Sequence, residues 1–302
     1  MTNPDQYIRF DWAMKRLLRN KASFGILEGL LTTLLEKQIH IKSLLESESN
    51  QEDRHEKQNR VDVLAEDEKG HLYIIEVQNN NETVYFQRML FGTSKLVTEY
   101  INRGDNYEKI RKIYSVNIVY FQLGHGTDTV YHGKTEFHGI HTGELLDLSP
   151  FQKQSFNVDS VSALYPEYYI LNVQNFDGVA TTPLQEWIHY LKTGLIPASA
   201  TAPGLNEARE RLRFDQMSKG ELEAYYHSVD DLNIIADNVR MARGEGRIEG
   251  FNEGMTEGIA KGIAEGERRK QVEIARKLKQ AGLDASAIAS TTGLDQQEIE
   301  EL

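Results

Sequence analysis

The stretch NRVDVLAEDEKGHLYIIEVQ, residues 59–78, decides the fold. Two runs rich in β-formers, Arg60 to Glu66 and His71 to Gln78, flank the turn sequence Asp67-Glu68-Lys69-Gly70, the pattern of a hairpin. A three-residue loop, Glu68-Lys69-Gly70, with Gly70 in the left-handed region sets the register. Asp62 then faces Glu76, and Arg60 faces Gln78. Val61, Val63 and Ala65 turn to the other side with Val77, Ile75 and Tyr73, which makes that side the apolar core face. Like charges directly opposite one another are destabilising unless a cation bridges them. Two hard oxygen ligands suit Mg²⁺, which takes one or two carboxylates and completes its shell with water and phosphate. A register slip of one residue would separate the pair. The same two acids also suit the solvated face of an ordinary exposed hairpin. The placement of Glu76 at the end of the apolar run LYIIEV argues for a partner or a task, because burying an unpaired carboxylate is costly.

Outward from the hairpin, the pattern is that of an α/β domain over roughly residues 5–125. Ile8, Trp12, Leu17 and Leu18, then Phe24 to Leu35, have helical apolar spacing, and His40 to Leu45 reads as a short strand. Ser47 to Gln58 is polar and reads as a loop. Thr83 to Arg103 returns to helical spacing and stops at Gly104, and Lys112 to Leu123 reads as a buried strand. Residues 126–175 read as further strands; Pro183 to Lys192 and Gln216 to Met241 read as helices; Ile196 to Leu205 has a linker's composition. The expected organisation is a core over 1–125, a β-rich continuation over 126–195 ending in a helix, a linker and helix over 196–243, and a tail over 244–302. In the tail, glycine recurs every fourth residue from Gly246 to Gly266 beside an apolar stripe of Ile248, Phe251, Met255, Ile259 and Ile263. That pattern fits a self-association helix or a flexible tether, since each interior glycine costs about 1 kcal/mol of helix stability relative to alanine.

Composition narrows the function. The 302 residues contain no cysteine, which excludes thiolate metal sites and cysteine nucleophiles. No apolar run approaches the roughly 20 residues of a membrane span, and the first residues lack an apolar signal core, so a cytoplasmic protein without a membrane partner is expected. The net charge of −12 excludes a strongly basic nucleic-acid footprint, but the charge is uneven. Residues 46–82 carry eleven acids against four bases, whereas 83–125 carry six bases against three acids. There is no phosphate-cradling glycine loop for a nucleotide cofactor and no nucleophile elbow for acyl transfer. His125, His132, His138 and His141 lack metal-ligand spacing. The final segment, Ile274 to Leu302, has a helix-turn-helix outline, but Asp295, Glu298, Glu300 and Glu301 would repel phosphates, so it reads as a protein-contact or capping element.

Asn59-Arg60-Val61-Asp62, the hairpin and Ile75-Glu76-Val77-Gln78 together resemble the PD-(D/E)XK nuclease signature. The chain more closely resembles the PD-(D/E)XK nuclease family transposases, also called recombination-promoting nucleases. Further matching stretches are Asp11-Trp12-Ala13-Met14-Lys15, Leu45 to Asn50, Gln87-Arg88 and Gly104 to Tyr107, with glycine-spaced repeats in the tail. The resemblance implies a restriction-endonuclease-like core, a mixed sheet flanked by helices, with a C-terminal helical extension. It implies a Mg²⁺-dependent DNA endonuclease, with Mn²⁺ as a substitute, tied to recombination or a mobile element. Asp62 and Glu76 would bind the metal, with Glu48 as a third acidic ligand and Asp11 in support. Gln78 stands where the general signature has lysine, as is usual in this subfamily; it can orient water or a phosphate oxygen but brings no charge. Transition-state charge then needs another cation, and Arg88 and Lys95, seven apart on one helix face, are the candidates. DNA and further copies of the chain are the expected partners. The competing expectations are an inactive nucleic-acid-binding protein that keeps the fold, and an assembly protein working through its tail.

Overall fold

The computed structural model describes residues 7–16, 24–45, 62–101 and 104–302. Arg60, Val61, Glu48 and the expected loop Ser47–Gln58 lie outside the described residues. The chain divides into two units, Met1–Ser228 and Val229–Leu302.

In the first unit, helices α1 (Phe10–Arg16) and α2 (Phe24–Leu35) precede strands β1 (Ile41–Leu45), β2 (Val63–Asp67) and β3 (Leu72–Gln78). Helix α3 (Tyr85–Glu99) and strand β4 (Ile113–Val119) follow, which is the order the sequence indicates. Strand β5 (Val130–Gly133), helix α4 (Pro150–Phe156), strand β6 (Glu167–Asn172) and helices α5 (Pro183–Thr193) and α6 (Leu205–Arg211) complete it, with the start of α7 (Lys219–Gln280). The six strands form one mixed sheet in the order β1-β2-β3-β4-β6-β5, with β3, β4 and β6 mutually parallel and the other pairs antiparallel.

The hairpin has the register derived above: Val63 pairs with Ile75, Leu64 with Ile74 and Ala65 with Tyr73. Gly70 has φ +80°, a region open to glycine at no steric cost, and its N–H donates to the Asp67 carbonyl. The expectation that only one hairpin face is buried is corrected. Leu64, Leu72 and Ile74, on the carboxylate face, pack with Leu96 of α3 and Ile113 of β4, and β3 is buried from Leu72 to Val77. The cause is the β3-α3-β4 crossover, which lays a helix over the face that a free hairpin would expose. The opposite face is tied to the other helices: Lys37, just after α2, donates to the Tyr114 hydroxyl at 2.5 Å, and the Tyr120 hydroxyl donates to Leu191 O of α5 at 2.7 Å. Within that helical layer, the Phe10 ring meets Trp187 edge-on at 5.9 Å and the Tyr190 hydroxyl donates to Ile8 O at 2.6 Å.

Two segments differ from their composition-based reading. Between β5 and β6 lies α4, started by a capping box in which the Ser149 hydroxyl accepts from Gln152 N and the Gln152 side chain accepts from Ser149 N. Ile196–Leu205 is packed rather than spacer-like: Ile196, Ala202 and Leu205 are buried, and Pro203 O accepts the Trp187 indole N–H at 3.0 Å. Its small residues serve close approach, since a Cβ on Gly29 of α2 would lie 2.3 Å from Pro203 O.

In the second unit, the glycine-spaced stretch of α7 is helical, and Ile248, Phe251, Met255, Ile259 and Ile263 are exposed along it. Helices α8 (Ala285–Thr292) and α9 (Gln296–Glu301) close a small core of Ala275, Ile288, Leu294 and Ile299. Glu298 pairs with Arg268 and completes the Asp295 capping box, so an acid of this helix is used in holding the unit together. Among the described residues no helix is long and apolar enough to cross a membrane.

Candidate active site

The site is built at the carboxyl end of β3. Extending the hairpin ladder by one residue sets Asp62 opposite Glu76. The Asp67 N–H donates to His71 O, so the odd-numbered pairs are the hydrogen-bonded ones and Asp62/Glu76 occupies a close, non-hydrogen-bonded position. The ladder ends there: the Val77 N–H is taken by the Asp62 carboxylate at 2.8 Å. This bond fixes Asp62 beside Glu76.

Glu76 is only 7% exposed. Burial pushes its pKa up to about 7; Arg88 pulls it back, and the nearby Asp62 and Glu82 raise it further. The Arg88 Nε lies 3.5 Å from Glu76 Oε2, and its Nη1 donates to Glu82 Oε2 at 3.2 Å. Arg88 Nε is buried and makes no hydrogen bond, so it meets Glu76 as an ion pair alone. Beneath Glu76, its parallel neighbour Asn117 accepts from the buried Tyr85 hydroxyl at 3.2 Å and donates to Ser115 Oγ at 2.9 Å. Burial also raises the Tyr85 pKa, which keeps its proton available as a donor.

Gln78 shares the face of Glu76, but its amide donates to Asn80 O at 3.3 Å. Asp11 is buried on α1, accepts from Arg9 at 3.1 Å and receives the Asn79 amide at 3.2 Å, which ties the first helix to the residue after Gln78. Lys95 is half-buried on α3, two turns beyond Arg88. Glu48 lies outside the described residues. The histidines stay apart from the site: His132 pairs with Glu167 and His138 with Glu136. Glu82, Tyr85 and Asn117 are additions to the residues expected from sequence. Ser115 and Asn117, two polar residues interrupting the apolar run IYSVNIV at period two, are the signal that could have found the polar floor.

A model of the PD-(D/E)XK nuclease family transposases matches residues 8–233. The chain belongs to this family. The match takes in the whole six-stranded sheet and extends into the start of α7. Comparison with curated proteins and with solved structures gave no match.

A divalent metal in this family member would have to be held by the carboxylates around Glu76. Among the described residues no group of three or more histidine, aspartate or glutamate side chains is placed to hold a metal. Two adjacent carboxylates remain, which suffices for Mg²⁺ when water and phosphate complete the shell. Burial is the main cause of the raised Glu76 pKa, Arg88 opposes it, and the Asp62 carboxylate beside it adds to the rise. The residues fit a hard divalent ion that shares its shell with a phosphate.

Proposed function

We propose that the chain is a metal-dependent DNA endonuclease that hydrolyses phosphodiester bonds, working in recombination or for a mobile element. The observation that carries this reading is the hairpin register that sets Asp62 opposite a buried Glu76, with the Arg88 Nε ion-paired to Glu76 at 3.5 Å. Asp62 and Glu76 would hold Mg²⁺, or Mn²⁺ in its place. When bound, such an ion polarises the scissile phosphate and lowers the pKa of an attacking water.

The chain's own groups supply the rest. Arg88 presents a donor to phosphate charge that Gln78 does not offer. Asn117 and Tyr85 form a polar floor under Glu76, and the Val77 N–H keeps Asp62 from turning away. Gln78, released from Asn80, would orient a water or a phosphate oxygen. Lys95 and Glu48 are kept as a distal phosphate contact and a third acidic ligand. Self-association through the exposed stripe of α7 would bring two such sites together, as paired DNA ends require.

The test is nicking of supercoiled plasmid with and without Mg²⁺ by the full chain, beside Asp62→Ala and Glu76→Ala variants checked for folding by circular dichroism. Metal-dependent nicking that falls at least a thousandfold in both variants is the expected result. Nicking that persists in the variants would overturn the site. DNA binding without cleavage by any form would favour an inactive binding protein.

A further inference from the structure

We propose that the flank of α3 carrying Arg88, Phe91 and Lys95 is the track along which a single strand leaves the Asp62/Glu76 site, with an unpaired base stacked on Phe91 and a phosphate on Lys95. The inference rests on the reading above only in taking the scissile phosphate to sit at the two carboxylates.

Four observations carry it. Arg88, Phe91 and Lys95 are spaced three and four residues apart, so they line one side of the helix. The same helix buries Tyr85, Met89, Gly92, Thr93 and Leu96 against the sheet, which leaves this flank outside the core. Phe91 is 44% exposed and stacks on no other described ring, a large apolar surface left in water one turn from the arginine that touches Glu76. The Lys95 side chain enters none of the ion pairs or hydrogen bonds among the described residues. Arg88, by contrast, is already shared between Glu76 and Glu82, so free positive charge on this flank comes from Lys95.

The occupant follows from chemistry. A cation, an aromatic face and a second cation in line match the alternation of phosphate and base in a nucleic-acid strand. From Arg88 to Lys95 the helix rises about 10 Å, roughly three steps of a stacked strand. A paired base offers its face only to its neighbours in the stack, so Phe91 selects a strand that is locally unpaired. The substrate class is therefore DNA with a single-stranded segment next to the scissile phosphate, such as a flap, a loop or a frayed end. Leu90 is also exposed, but it is turned about 100° from Phe91 around the helix and lies off this line.

The experiment measures binding of the full chain, in chelator, to a single-stranded oligonucleotide containing 2-aminopurine and to the matching duplex. Fluorescence anisotropy reports affinity, and 2-aminopurine quenching reports stacking. Phe91→Ala should weaken single-strand binding about tenfold and abolish quenching, leave duplex binding unchanged, and be rescued by Phe91→Trp. Lys95→Gln should reduce the slope of log affinity against log salt by about 0.7. Leu90→Ala should bind as the wild type does. Equal losses for Leu90→Ala and Phe91→Ala, equal losses on single strand and duplex, or unchanged quenching in Phe91→Ala would each overturn the track. Failure of every form to bind single strands while duplex cleavage depends on Asp62 and Glu76 would overturn the track and leave the nuclease reading standing. Phe91-dependent quenching without cleavage by any form would support the track and overturn the nuclease reading.

Discussion

The Arg88 guanidinium is held between two carboxylates, with Nε 3.5 Å from Glu76 Oε2 and Nη1 3.2 Å from Glu82 Oε2. Burial raises Glu76 toward its neutral form and Arg88 opposes that rise. Removing the cation should therefore move the Glu76 titration to higher pH. Arg88→Gln is expected to shift the acidic limb of the nicking pH–rate profile upward by about one unit. It should also lower nicking above that limb by about tenfold to a hundredfold, through loss of a charged donor at the phosphate. A profile that keeps its midpoint while losing rate would mean that Arg88 serves the phosphate alone.

The same buried acid sets a stability signature in the metal-free protein. The folded pKa of Glu76, about 7, stands above the ordinary value of 4.5, so between these limits the native state binds more protons than the unfolded state. Its contribution is therefore favourable below about pH 4.5 and is lost as pH rises through about 7. Glu76→Gln, which removes the charge and keeps the shape, should raise the Tm of chelator-treated protein at pH 8 and leave it nearly unchanged near pH 4.5. A Tm difference independent of pH would refute this assignment.

Asp67, at the other end of the hairpin, should behave with the opposite sign. Burial pushes its pKa upward, but the His71 N–H and the Tyr73 hydroxyl, each at 2.9 Å, hold it below the ordinary value of 3.8. Its contribution is present above about pH 4 and is lost as pH falls through the depressed folded value. Asp67→Ala removes the acceptor of the Lys69 and His71 N–H groups and the Tyr73 hydroxyl, and the partner of the His71 ring, and should cost about 2–4 kcal/mol at neutral pH, read by urea denaturation. The cost should shrink toward pH 3. Equal Tm values for the variant and the wild type at neutral pH would mean that water replaces the carboxylate.

The carboxylate pair was legible because side-chain alternation in a hairpin has period two and Gly70 pins the loop, so one local decision fixed the register of every residue from Val63 to Ile75. What covered the pair was not legible. The burial of Glu76 comes from α3 crossing over Leu64 and Ile74, a long-range arrangement that hairpin residues do not encode. The same holds for Ile196–Leu205. Its proline, alanine and glycine content is shared by free linkers and by segments pressed against a neighbouring helix, and only the packing separates the two.

The packed form of that segment makes Gly29 sensitive. An added methyl would meet the Pro203 carbonyl oxygen at 2.3 Å and the Gly204 Cα at 2.5 Å, both backbone atoms that cannot swing aside. Gly29→Ala should therefore destabilise the first unit by about 1–3 kcal/mol, although alanine is the better helix former. Urea denaturation followed by tryptophan fluorescence reads this through the buried Trp187, whose indole binds the same carbonyl. A neutral or stabilising effect would show that the 196–205 segment leaves α2 readily.

The glycines of α7 call for the reverse experiment. A Cβ at Gly250, Gly254 or Gly258 would meet nothing within 4 Å, so alanine at each is free of strain within one chain. In an isolated helix the three replacements should add about 0.5–1 kcal/mol each to helix stability. If the glycine ridge is where a second copy approaches, the added methyls hold the two helices apart and weaken association even as each helix becomes more stable. The stripe of Ile248, Phe251, Met255, Ile259 and Ile263 beside the ridge is 54–69% exposed, a surface whose burial would favour such a contact. The triple variant Gly250→Ala, Gly254→Ala, Gly258→Ala is therefore expected to gain helical circular dichroism while sedimenting as a smaller species than the wild type. A gain in helicity with an unchanged sedimentation coefficient would mean that the ridge faces water in solution and that the apolar stripe, if it associates at all, does so without it.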